Sequence, residues 1–112
     1  MKIALIGNPN GGKTTLFNAL TGLRQDVGNF PGVTVERKVG KLRLRGLKDE
    51  VQIVDLPGTY SLQPRSLDEA VTSDTINDKK NQDHPDLAVV VLDATRSKVG
   101  LYLAMQVIER GI

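Results

Sequence analysis

The chain contains no cysteine. That absence excludes disulfides and thiolate metal sites, and it suits a reducing compartment. Histidine is nearly absent too. His84 is the single one, in the polar stretch Asp83-His84-Pro85-Asp86. A metal site needs more ligands than one imidazole and nearby aspartates, so the sequence reads it as a solvated loop histidine. Neither charge sign dominates: fifteen basic and thirteen acidic residues leave a net charge of +2. That balance is too mild to argue for a nucleic-acid partner. Long apolar runs are missing as well. The longest, Leu87-Ala88-Val89-Val90-Val91-Leu92, falls far short of the roughly 20 residues of a membrane-spanning helix. Met1-Lys2 leads straight into an apolar stretch, so no signal peptide is expected. No internal repeat or low-complexity tract is present.

What is there begins at residue 7. Gly7-Asn8-Pro9-Asn10-Gly11-Gly12-Lys13-Thr14 fits G-x-x-x-x-G-K-[ST]. An apolar strand, Ile3 to Ile6, precedes it, and a helical pattern follows from Thr15. Small residues at this spacing let successive backbone N–H groups turn inward as a nest for phosphate oxygens. The helix behind points its positive end at the same anion. Lys13 is placed to reach β- and γ-phosphates, the Thr14 hydroxyl to ligate Mg²⁺, and Thr15 to bond the α-phosphate. A glycine-rich turn with no ligand is the plain alternative. The complete pattern between strand and helix favours the phosphate site.

With 112 residues and 39% hydrophobic content, the chain makes one domain with a modest core. Complete nucleotide-binding α/β domains are usually larger, so a fragment is expected. The expected order is a strand at 3–6, a helix over 13–22, a loop over 24–36 and a strand over 37–45. A turn at 46–50, a strand at 51–54, a loop, a helix near 67–76, a polar connection over 77–85, a strand at 87–92 and a helix over 97–110 follow. On the first helix Leu16, Leu20 and Leu23 share a face, with Ala19 beside them and Gly22 as its end. Lys79-Lys80 reads as a solvated helix end, Arg43 and Arg45 as an outward strand face, and Asp68-Glu69 as an acidic helix start. Gly111 and Ile112 read as a helix cap running into a further strand. This β-α-β-β-α-β-α order predicts an α/β fold, a mostly parallel sheet with one antiparallel hairpin. Ligands of such sheets bind at strand carboxyl ends, where Gly7, Asp55 and Asp93 all fall.

Asp55-Leu56-Pro57-Gly58 forms a second constellation. A carboxylate at a strand end opposite a phosphate loop suits a direct or water-mediated Mg²⁺ contact. The Gly58 N–H is free to meet a γ-phosphate, because glycine lets backbone approach closely. A strand followed by a common turn is the alternative for the tetrapeptide alone. Between the two motifs lies Gly32-Val33-Thr34-Val35-Glu36. Thr34 there could close over Mg²⁺ and γ-phosphate, or simply favour the strand that follows.

Taken in order, Gly7–Asn18, Val27–Glu36, Asp55–Leu62 and Leu92–Thr95 resemble the N-terminal G domain of FeoB, the bacterial ferrous-iron transporter family. The similarity covers nearly the whole chain and is least distinctive from Gln63 to Asp86. It implies a P-loop NTPase, a Ras-like GTPase domain fused to a helical spacer and a polytopic membrane region at the cytoplasmic membrane. Residues 1–112 would be the N-terminal part of that G domain, with an oligomer left open.

The resemblance also implies roles. Gly12, Lys13, Thr14 and Thr15 hold GTP or GDP and Mg²⁺. Thr34, with Gly32 and Val33 leading into it, is the switch-I threonine. Asp55 and Gly58, with Leu56 and Pro57 between, are the switch-II pair. Asn10 helps bind K⁺, with carbonyls around Gly28 and Phe30 completing that site. Such a cation supplies positive charge where an arginine finger otherwise would. Gly11 stands where the family commonly has serine, and Phe30 where it has tryptophan. Thr59 stands where Ras-like enzymes place a water-orienting glutamine. The family lacks that glutamine too, which implies slow hydrolysis. No N-K-x-D guanine-reading motif occurs in the 112 residues; it is expected after a strand starting near Ile112. Two alternatives stand beside this reading: a soluble ribosome- or tRNA-associated G protein, and a nucleotide-sensing module without useful turnover.

Overall fold

A computed structural model describes residues 1–7, 12–22, 24–42, 50–59, 62 and 66–91. The expectations for Asn8, Pro9, Asn10, Gly11, Leu23, Arg43, Arg45, Asp93 and the helix over 97–110 lie outside those residues. Within them the order is β1 (Lys2–Gly7), α1 (Lys13–Thr21), β2 (Gln25–Asn29), β3 (Glu36–Leu42), β4 (Val51–Asp55), α2 (Leu67–Asn77) and β5 (Leu87–Val91). The five strands form one sheet in the order β2-β3-β4-β1-β5. β1 runs parallel to β4 and β5, while β3 is antiparallel to β4 and β2.

Side chains alternate along β1, and the core divides with them. Ile3 and Leu5 join Phe17 of α1, Val51 and Ile53 on one face. Ala4 and Ile6 join Val39, Val54, Leu56 and Ile76 of α2 on the other. The sheet is therefore a middle layer between two helices.

On α1 the buried row is Lys13, Phe17 and Thr21, not the expected leucine face. Leu16 is half-buried, and Leu20 is 37% exposed. The reason is steric. Phe17 fills the space over β1 and β4, and the helix then closes onto β3 at Gly40. A Cβ at Gly40 would lie 2.1 Å from Thr21 Cγ2 and 2.9 Å from Thr21 Cβ. Only glycine admits the helix so closely. Gly22 ends α1 in the left-handed region as expected.

Three further expectations need correction. The presumed loop over 24–36 contains β2, in register with β3 from Gln25 opposite Gly40 to Asn29 opposite Glu36. Four of its five residues are exposed. It is held by a backbone ladder, which leaves no apolar period to read. β5 is not fully buried: Leu87 is exposed and the rest half-buried, and among the described residues β5 is an outer strand of the sheet. The 77–85 connection is polar but not merely solvated. Asp83 is buried, and His84 is half-buried with Nδ1 donating to the Thr75 carbonyl at 3.1 Å. Lys79 and Lys80 are exposed just beyond the helix end.

No helix of the described residues is long and apolar enough to cross a membrane.

Candidate functional site

β1 lies between β4 and β5, and the chain runs from β1 into α1 on one face of the sheet but from β4 into α2 on the other. The crevice beyond its carboxyl end is where such sheets bind ligands. Gly7 closes β1 there. A Cβ on it would lie 3.1 Å from the Val91 carbonyl oxygen and 3.5 Å from Lys13 Cδ.

Gly12 starts α1 at φ 84° and gives it no side-chain cap. The first bond in this turn runs from the Leu16 N–H to the Gly12 carbonyl at 3.1 Å. The amides of Lys13, Thr14 and Thr15 are therefore the donors that a helix start leaves without intrahelical partners. Thr14 and Thr15 are exposed beside them. Lys13 turns inward, and its ammonium donates to Asp55 Oδ1. Both side chains of this ion pair are only 9% exposed. The phosphate-loop lysine and the strand-end aspartate, 42 positions apart, thus meet, a contact the sequence reading did not include.

The segment after Asp55 is stitched to its surroundings. The Leu56 N–H donates to the Leu5 carbonyl at 3.2 Å, and the Thr59 N–H to the Gly7 carbonyl at 2.9 Å. Leu56 is core, while Pro57 and Gly58 are half-buried. Thr72 of α2 donates its hydroxyl to the Pro57 carbonyl at 3.2 Å. Thr59 is buried and donates its hydroxyl to Glu69 Oε2 at 3.0 Å. Ser66 caps α2 by accepting the Glu69 N–H at 3.2 Å. The Ser66-x-x-Glu69 spacing is a readable capping signal; the Thr59–Glu69 link has no local signature.

The other predicted loop is ordered differently. Phe30 is buried in the core, its N–H donates to the Val35 carbonyl at 3.0 Å, and its carbonyl accepts the Val33 N–H at 3.2 Å. Pro31 and Gly32, the latter at φ 75°, form the corner of this turn. Gly28 lies in β2 opposite Arg37. Thr34 is exposed, and among the described residues no hydrogen bond joins it to Lys13 or Asp55.

Sequence reasoning missed one charged cluster. Arg37 of β3 donates Nε to Asp83 Oδ2 at 2.8 Å and Nη2 to Oδ1 at 2.6 Å. This fork to a carboxylate holds the guanidinium above its already high range, burial working against it and the opposite charge adding to it.

A glycine-started helix facing strand ends, with its lysine on a β4 aspartate, defines a P-loop nucleotide-binding fold of the Ras-like kind. Comparison with known proteins makes this specific. A family model described as Ferrous iron transport protein B matches residues 1–112. The chain belongs to the FeoB family. The Fe(2+) transporter FeoB of Methanocaldococcus jannaschii is 50% identical over 110 residues, which cover 98% of this chain and 16% of that protein. The crystal structure of the T. maritima FeoB G domain superposes with a TM-score of 0.88 at 44% identity, covering 98% of this chain and 65% of that one. The cytosolic domain of the same transporter is known in a GDP form and a GMPPNP form, with TM-scores of 0.87 and 0.86 at 44% identity. Each covers 97% of this chain and 41% of that one. A transporter family matched over the whole chain decides against the soluble ribosome- or tRNA-associated alternative.

Proposed function

We propose that this chain is the nucleotide switch of a ferrous iron transporter. It binds guanine nucleotide with Mg²⁺, hydrolyses GTP slowly and passes its state on through the segments around Thr34 and Asp55–Thr59. The observation that carries this is the buried Lys13–Asp55 pair at the mouth of a helix whose first amides have no intrahelical partner. An ammonium beside those amides suits phosphate oxygens, and a carboxylate already facing a cation suits Mg²⁺. The donor set is small and oxygen-based, which fits an ion that keeps several waters. Thr14 and Asp55 would hold Mg²⁺, which when bound offsets the charge on the phosphates. Lys13 orients the phosphate chain. Thr34 would close over the γ-phosphate, and Asn10 would hold K⁺ beside it. The remainder of the protein would include a helical spacer and a membrane region that moves Fe²⁺, placing this domain on the cytoplasmic face.

The test is turnover and binding by the intact protein. Thr34→Ala should slow GTP hydrolysis strongly while leaving GDP affinity nearly unchanged, because Thr34 meets only the triphosphate. Equal losses for GDP and GTP would show Thr34 to be structural. Steady-state hydrolysis in matched potassium and sodium buffers separates an enzyme from a sensor without turnover. Asn10→Ala should erase any potassium preference.

A further inference from the structure

Thr34 sits between two anchors of different kinds. Before it, Phe30 is buried with Val35 and Val39 in the core on the α2 side of the sheet. Three residues after it, Arg37 lays its guanidinium side-on against Asp83, a carboxylate only 1% exposed.

Asp83 is itself fixed. Its N–H donates to Asn81 Oδ1 at 2.8 Å. Lys2 Nζ lies 3.8 Å from its Oδ1 and donates to the neighbouring Gln82 carbonyl. Three residues after Asp83, the Asp86 N–H donates to the Lys2 carbonyl and the Lys2 N–H to Asp86 Oδ2, both at 2.8 Å. His84 ties the same turn to α2. The carboxylate that receives Arg37 is thus held from β1, from α2 and from its own turn.

We propose that Arg37 and Asp83 are positioning residues that brace the exit of the Thr34 loop, so that Thr34 reaches a bound triphosphate at a smaller ordering cost. The proposal rests on the reading above that Thr34 meets the γ-phosphate. Ordering a loop on binding subtracts from affinity. An anchored loop has fewer residues left to order. A diphosphate does not engage Thr34, so its affinity does not feel the brace. The pair therefore sets the ratio of triphosphate to diphosphate affinity rather than overall affinity. Its side-on fork matters, because a planar guanidinium fixes direction where a rotatable ammonium fixes only charge.

The test is fluorescence titration of the intact protein with mant-labelled GMPPNP and GDP. Arg37→Lys and Asp83→Asn are compared with wild type, each checked by thermal melting. If Asp83→Asn fails to fold, Arg37→Lys, which keeps a cation opposite Asp83, carries the test. GMPPNP affinity should fall on the order of tenfold, the effect of ordering about one further residue, while GDP affinity stays within about twofold. In a Thr34→Ala background the same changes should leave the ratio untouched. Equal weakening of both nucleotides, an unchanged ratio, or a shift that persists without the Thr34 hydroxyl overturns the brace. A wild type that binds neither nucleotide overturns the nucleotide-site reading as well, which separates the two failures.

Discussion

The Lys13–Asp55 pair and the Arg37–Asp83 pair both set a largely buried carboxylate against a cation, yet they are built differently. The first is a single contact by a compact ammonium on a rotatable stem, at the open ends of two strands. On the proposed function, each partner takes another role when a nucleotide and a metal ion arrive. The second is a planar fork on both oxygens, with a lysine behind it and a turn around it. Its guanidinium is turned to the Asp83 turn that precedes β5. On the proposed function one pair is exchangeable and the other permanent, and lysine and arginine suit those tasks for the same reason they are not interchangeable elsewhere.

Breaking the permanent pair should have the largest effect. Arg37→Ala leaves Asp83 buried opposite only Lys2 at 3.8 Å. The expected loss of folding stability is about 3 kcal/mol, the low end for a broken buried pair because the guanidinium is itself 28% exposed. Urea denaturation measures it, and a loss below about 1 kcal/mol would put this pair among ordinary surface ones.

Lys13→Ala comes next, and its effect should fall on ligand rather than fold. Calorimetry should show nucleotide binding weakened by about 1.5–3 kcal/mol, the worth of one charge-assisted contact. Stability should drop less than for Arg37→Ala, since Asp55 opens onto the cleft and can rehydrate. Unchanged nucleotide affinity would remove Lys13 from the site.

Asp55→Asn sharpens the comparison with a smaller, two-signed effect. It frees Lys13 from its internal partner, so GDP measured in EDTA should bind up to about tenfold more tightly. GMPPNP with Mg²⁺ should bind more weakly, because a metal ligand is lost. Changes of the same sign in both conditions would mean the pair is not exchanged on binding.

The two members of the Lys13–Asp55 pair were each legible in the sequence, though not their contact, and those of the Arg37–Asp83 pair were not. Gly7 to Thr14 is a contiguous pattern, and Asp55 stands at the end of an apolar run, so local rules locate both. Arg37 and Asp83 are 46 positions apart in unremarkable polar contexts, and only folding brings them together. The same limit hid β2, whose ladder to β3 is made by backbone groups every residue carries. Helix existence was readable on α1, but its inward face was not. Three leucines suggested one stripe; the space over β1 and β4 is instead filled by Phe17. Asn8 to Gly11 lie outside the described residues, so the expectation for Asn10 rests on sequence alone.

The close seat of α1 on Gly40 bears on how this domain can drift over generations. An alanine at 40 would meet not only the Thr21 methyl but its Cβ, at 2.9 Å. Serine or alanine at 21 would remove the 2.1 Å contact but keep that Cβ, so trimming the threonine opens only part of the room. Glycine at 21 would remove both Thr21 contacts, leaving Phe17 Cζ at 3.3 Å, at a cost of about 1 kcal/mol in the last turn of the helix. The two positions are therefore locked in order. Position 21 must change first, through a weakened intermediate, before position 40 can accept any side chain, and lineages should rarely make that crossing.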